Sequence, residues 1–168
     1  MSIATTCRIP IDFRNPRVST LAGNCYWTVI ALTNIDLGVW DFVKDVQGKL
    51  YGTVTVPAGL AGTVSPAIVL SIMANAVAGV TSINVATKAV APTAESINAT
   101  LTSDTRQDIT VPGTAYLDSA VTFTVGDLAN VVANDILIVE VLHDGTQAAD
   151  TLNSDTLLVE GWLRVDLA

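Results

Sequence analysis

Apolar side chains in this chain recur mostly at every second position. Leu50-Tyr-Gly-Thr-Val-Thr-Val56 sets Leu50, Val54 and Val56 on one face, and Val121-Thr-Phe-Thr-Val125 alternates with its threonines outward. Runs of this period predict half-buried strands, because successive side chains of a strand point to opposite faces. Ala67 to Asn75 places Ile68, Leu70 and Ile72 on one face and Val69, Ser71 and Met73 on the other. Ile136 to Leu142 is apolar on both faces apart from Glu140, the pattern of a central strand. In the last run Leu157, Val159, Leu163 and Val165 are expected to point inward, with Glu160, Trp162 and Arg164 on the opposite face. Turn-forming residues separate the runs at Val46-Gln-Gly48, Pro57-Ala-Gly59, Ala78-Gly79, Pro112-Gly113, Val125-Gly-Asp127, Asn134-Asp135 and Asp144-Gly145.

No stretch carries a sustained 3.6-residue apolar stripe with both caps, so helix is confined to short turns near residues 91–97 and 128–133. Many short strands at even spacing predict an all-β chain built as a sandwich or barrel. The 22 valines and 21 threonines spread along the chain agree with this, since β-branched residues pack well on a pleated surface.

The first 25 residues read differently. Ile9-Pro-Ile-Asp-Phe-Arg-Asn-Pro-Arg17 contains two prolines, which remove backbone donors and push their predecessors toward extended geometry. Residues 1–25 are therefore expected to form an extended N-terminal arm, and residues 26–168 a single sandwich domain. At 168 residues the chain is long enough to bury roughly 70% of its unfolded surface without a metal or disulfide staple.

Charge sharpens this division. The chain carries a formal −8. The arm holds Arg8, Arg14 and Arg17 against Asp12 alone, so the body is more acidic than the total. An acidic body argues against nucleic acid as a partner, whereas a basic arm suits an acidic neighbour. Half of the residues are hydrophobic and only 14% are charged, below the usual value of about 25%. A solitary soluble monomer is rarely so apolar, so part of the surface is expected to be buried in contacts. The membrane is a poor explanation. The best apolar stretch, Pro66 to Val80, is interrupted by Ser71 and Asn75, and a spanning helix needs about 20 apolar residues. The charges at Arg8, Asp12, Arg14 and Arg17 also make the first residues unlike a secretion signal.

Candidate chemistry is sparse. His143 is the single histidine; at the end of an apolar run before Asp144-Gly145 it suits a turn or a solvent-facing position. No nucleophile elbow, phosphate loop, dinucleotide fingerprint or HExxH pattern occurs. Cys7 and Cys25, with no histidine or further cysteine nearby, do not form a zinc site; they read as small buried hydrophobes, their redox state open. Asp144, Asp150 and Asp155 share one loop without EF-hand spacing, which favours Asx turns over calcium. Asn98-Ala-Thr100 is a sequon by chance. Glu95, Glu140 and Glu160 are the only glutamates, and nothing marks two carboxylates as an acid/base couple. The expectation is therefore no enzyme, no cofactor and no metal.

The C-terminal part resembles a pattern found in structural proteins of tailed bacteriophages. The resemblance rests on Val125-Gly-Asp-Leu-Ala-Asn-Val-Val-Ala-Asn-Asp-Ile-Leu-Ile-Val-Glu-Val-Leu-His-Asp, then Gln147-Ala-Ala-Asp-Thr-Leu-Asn-Ser-Asp-Thr-Leu-Leu-Val-Glu-Gly-Trp-Leu. It covers residues 40–168. Asn134-Asp135 stands where the pattern has Gly-Asp, and His143-Asp144 where it has Arg-Asp; both preserve a turn. The resemblance implies a jelly-roll β-sandwich that acts as a capsid decoration, or cement, protein on the outside of the head. Its implied partners are the major capsid protein and itself, as a homotrimer or else a dimer, with assembly in the host cytoplasm. Expected contact residues are Arg8, Phe13, Arg14 and Arg17 in the arm and Trp162 and Arg164 on the body, since Trp and Arg dominate interface hot spots. The alternative is a fibre or tail receptor-binding module on the same fold.

Overall fold

The structure is a computed structural model that describes residues 5–14, 24–59, 66–75, 78–92, 95, 100–103 and 106–167. Among these residues twelve strands form: β1 (Thr5–Pro10), β2 (Asp12–Arg14), β3 (Cys25–Ala31), β4 (Asp36–Phe42), β5 (Gln47–Thr55), β6 (Ala67–Ala74), β7 (Gly79–Val90), β8 (Thr102–Ser103), β9 (Gln107–Val111), β10 (Ser119–Phe123), β11 (Ile136–Asp144) and β12 (Thr156–Leu167). A 3-10 turn spans Gly126–Asn130, close to one of the two helical turns expected.

The strands divide into two antiparallel sheets. One runs β10-β6-β12-β4-β3, with β1 also on β12; the other runs β2-β5-β11-β7-β8, with β9 also on β7. The connectivity is that of a jelly roll. From β4 onward, β4 pairs with β12, β5 with β11, β6 with β10 and β7 with β9. A long double ribbon has thus been wound over itself, so that successive strand pairs fall in alternate sheets.

The core lies between the sheets. Leu50 and Val54 of β5, Ile68, Leu70 and Ile72 of β6, and Leu137, Val139 and Val141 of β11 meet there with Phe42 and Phe123. The alternation read from the sequence therefore marks the correct faces of these strands. Polar groups also cross the core: the hydroxyls of Thr81 and Thr156, one from each sheet, lie 2.7 Å apart.

The last strand departs from expectation. Its register on β6 shifts between Leu158 and Glu160, leaving Val159 as a bulge. One extra residue reverses which face the side chains take. Leu158, Leu163 and Val165 thus enter the main core. Leu157 turns outward and joins Val39 and Met73 in a second apolar cluster, with Val159 packed against it. A single inward face containing Leu157 and Val159 is therefore corrected.

The free arm is corrected for residues 5–14. They are extended, but β1 pairs along β12 from Thr5↔Leu167 to Pro10↔Trp162, and β2 pairs with β5. Between them the chain passes from one sheet to the other. The buried Ile11 donates its N–H to Gly161 O at 2.9 Å at this crossing. A Cβ on Gly52 would lie 2.4 Å from Ile11 Cγ2 and 2.7 Å from Phe13 Cδ1, and one on Gly161 would lie 2.8 Å from Phe13 Cε2. The two glycines open the slot that the N-terminal segment fills. A signal for this was present: Cys7, Ile9, Ile11 and Phe13 alternate with Arg8, Pro10, Asp12 and Arg14.

Candidate interaction surfaces

The β3–β4 hairpin is the most apolar exposed feature among the described residues. β3 closes one end of its sheet and pairs only with β4, from Cys25↔Phe42 to Ala31↔Asp36. Cys25 and Phe42 reach the core. Further along, Trp27 (55% exposed) and Val29 are exposed. Tyr26, on the other face, is also exposed.

Trp27 is nonetheless held in place. Its ring meets Trp40 edge-on, with centroids 5.4 Å apart and planes inclined at 68°, a favourable aromatic geometry. It lies over Gly38, where a Cβ would sit 2.3 Å from Cζ2. The β3 sequence, Cys-Tyr-Trp-Thr-Val-Ile-Ala, has no charge and no proline. Edge strands are ordinarily blunted by such residues.

Beneath Tyr26 is the buried carboxylate of Asp41. Burial, and then the charge of Asp155, push Asp41 above the usual carboxylate range. Asp41 in turn raises the Tyr26 hydroxyl. The Cys25 thiol is pushed up to about 12, by burial first and then by Asp41. Cys7 is half-buried and Cys25 buried.

The residues expected in an arm interface are divided by the structure. Phe13 is half-buried and packs against the core. Arg14 is exposed and paired with Asp12 on its own strand. Arg17 lies outside the described residues. Arg8 stands directly opposite Arg164 in the β1–β12 ladder, and its guanidinium lies 5.0 Å above the Trp162 ring, a cation–π contact. Trp162 is 8% exposed. Its ring is thus largely covered, and Arg8 and Arg164 face each other across the ladder beside it.

The loop acids are separated and individually satisfied. Asp144 accepts hydrogen bonds from Thr146 Oγ1 at 2.7 Å, Gln147 Nε2 at 2.8 Å and Gln47 Nε2 at 2.9 Å. Burial opposes ionisation, but these donors hold Asp144 below the usual range. Asp155 accepts the Lys44 N–H at 2.8 Å, and Asp150 accepts the Ser82 N–H at 2.9 Å. No group of three metal-binding side chains occurs among the described residues. Glu140 faces Lys49 Nζ at 3.0 Å and Tyr51, whose hydroxyl is pushed up to about 12 by burial and then by Glu140; a second acid is not its neighbour. His143 differs from expectation. It turns into the sandwich, only 1% exposed, against Phe42.

No family model matches the chain, and no curated protein matches it. Among solved structures, similarity is found to a family 11 carbohydrate-binding module from Clostridium thermocellum in complex with a β-1,3-1,4-mixed-linked tetrasaccharide. It is 10% identical, covers 92% of this chain and 95% of that one, and has a TM-score of 0.43. An arabinose-bound MgGH51 α-L-arabinofuranosidase is 11% identical, with 94% of this chain against 26% of that one and a TM-score of 0.44. TmCBM61 in complex with β-1,4-galactotriose is 12% identical over 99% and 87%, with a TM-score of 0.28. None of these reaches 0.5, so the jelly-roll assignment stands on the strand pairing alone.

Proposed function

We propose that the chain is a virion structural protein that decorates the outside of the major capsid shell, a cement protein that binds its partners through the β3–β4 hairpin. The observation that carries this reading is β3 itself, a seven-residue edge strand with exposed Tyr26, Trp27 and Val29 and no gatekeeping charge. Exposed apolar side chains on an unprotected edge are what an interface uses and what a solitary protein avoids. Because Trp27 is fixed by Trp40 and Gly38, little side-chain freedom is lost on docking, and preorganised aromatic anchors dominate interface energetics. The loop phrase shared with tailed-phage structural proteins points to the same setting. The test is to add purified protein to undecorated heads and image them. Regular density on the outer shell is expected, reduced by Trp27→Ala. Bare heads at saturating protein overturn the reading.

A second reading, an adhesion module of a fibre or tail, is favoured by the locked Trp27–Trp40 pair, since an exposed indole of fixed orientation can stack on a sugar ring. Glycan-array binding that is lost on Trp27→Ala, together with bare heads, would select it.

A further inference from the structure

β12 carries a charge strip that is complementary to itself. After the Val159 bulge, Glu160, Trp162 and Arg164 share the outer face of the sheet, while Leu163 and Val165 enter the core. Glu160 is exposed and Arg164 half-buried. The two charges are four residues apart, about 13 Å along the strand, with Trp162 midway between them.

The basic end is doubled. Arg8 lies directly across from Arg164 in the ladder. Like charges placed opposite on neighbouring strands are destabilising, and this pair occurs in a chain with twice as many acids as bases. Arg14, Lys44, Lys49 and Arg106 each have an acid beside them. Arg8 and Arg164 have no ion pair among the described residues. Arg8 is instead anchored on the Trp162 ring, which leaves the in-plane N–H groups of its guanidinium free to donate.

We infer that this face pairs with a second copy of the chain about a two-fold axis that runs parallel to the sheet and across its strands, above Trp162 and midway between the two copies. That rotation reverses the strand direction. It brings Glu160 of each copy over Arg164 of the other, with Arg8 alongside to complete a two-pronged clamp on the carboxylate. The contact is isologous, each copy giving and receiving the same pair. Two copies of net charge −8 repel at long range, and this strip offsets that repulsion locally. A nucleic acid would need many more phosphate contacts than two arginines on an acidic body supply. The resulting assembly is a two-fold pair, the second of the two states, trimer or dimer, that the resemblance implies.

The inference does not depend on shell binding: a chain that dimerises but ignores heads sinks the function proposed above and leaves this one standing. Sedimentation of the purified chain tests it. The wild type should form a dimer that weakens as salt rises. Glu160→Arg alone, and Arg8→Glu with Arg164→Glu, should each weaken the dimer at least about tenfold while circular dichroism stays unchanged. The triple variant E160R/R8E/R164E, in which both ends are exchanged, should dimerise again. A wild type that stays monomeric, a trimer, a dimer indifferent to salt, or a folded triple variant that remains monomeric would each overturn the proposal.

Discussion

His143 Nε2 lies 3.1 Å from Asp150 Oδ2 inside the sandwich, with the two side chains 1% and 5% exposed. The same carboxylate oxygen accepts the Ser82 N–H, so one acid ties the end of β11 to β7. Burial holds His143 below its ordinary value near 6.5, and the opposing pull of Asp150 does not cancel this. The unfolded chain therefore takes up the proton at higher pH than the folded one. Stability from this group is complete above about pH 6.5 and is lost as pH falls below it toward the folded value. Melting temperature should be level between pH 8 and 7 and decline between about 6.5 and 5.5. His143→Gln should lower stability at pH 8 and flatten that decline. A variant that keeps the wild-type slope would assign the decline to other groups.

Gly52 and Gly59 should respond oppositely to the same change. A Cβ at Gly52 would collide with Ile11 and Phe13, whereas nothing lies within 4 Å of one at Gly59. Gly52→Ala should cost about 1–3 kcal/mol in urea unfolding, as overpacking does. Gly59→Ala should leave the midpoint within about 0.5 kcal/mol.

Removal of residues 1–14 separates a wedge from an arm. A free arm contributes nothing to stability. Here the truncation strips Ile11 and Phe13 from the core and leaves an edge of β12 unpaired. Phe13→Ala alone should cost about 2 kcal/mol, less than a fully buried phenylalanine, and the truncation more. Unfolding curves that superpose on the wild type would show that the segment adds nothing.

Trp27→Ala should separate binding from folding. The ring is more exposed than buried, so the melting temperature should change little. Affinity for the capsid partner proposed to dock at the hairpin should fall by about 2 kcal/mol or more, the loss typical of an aromatic anchor. Equal losses in stability and affinity would make Trp27 a packing residue.

Strands whose apolar runs are bounded by clear turn signals were legible in the sequence. β6, β10 and β11 fall within a residue or two of their alternating runs. β7 was not legible, because Thr81, Ser82 and Thr87 are buried along with Ile83 and Val85, so polarity ceases to report the face. Asn134-Asp135 was a sound turn signal, with Asn134 at φ 71°, but Val46-Gln-Gly48 was placed late: the turn centres on Asp45 at φ 60°, and Gln47 already begins β5. The bulge at Val159 left no mark, since any run of apolar residues fits either parity. The β3 surface was missed for a related reason. Tyr, Trp, Val and Ile are read as core by type, and only the three-dimensional packing leaves Trp27 and Val29 exposed. The pairing of Arg8 with Arg164 joins residues from opposite ends of the chain, which no local pattern reports.

The pairing of β4, β6 and β1 with β12 also governs the order in which the molecule can be completed. β12 lies at the centre of its sheet yet leaves the ribosome after all eleven other strands. Until then β6, β4 and β1 have no common neighbour and the edges that β12 will cover stay open. Local hairpins can form during translation, but the sandwich closes only afterwards, so a nascent or prematurely terminated chain has half a fold for a chaperone to shield or a protease to clear.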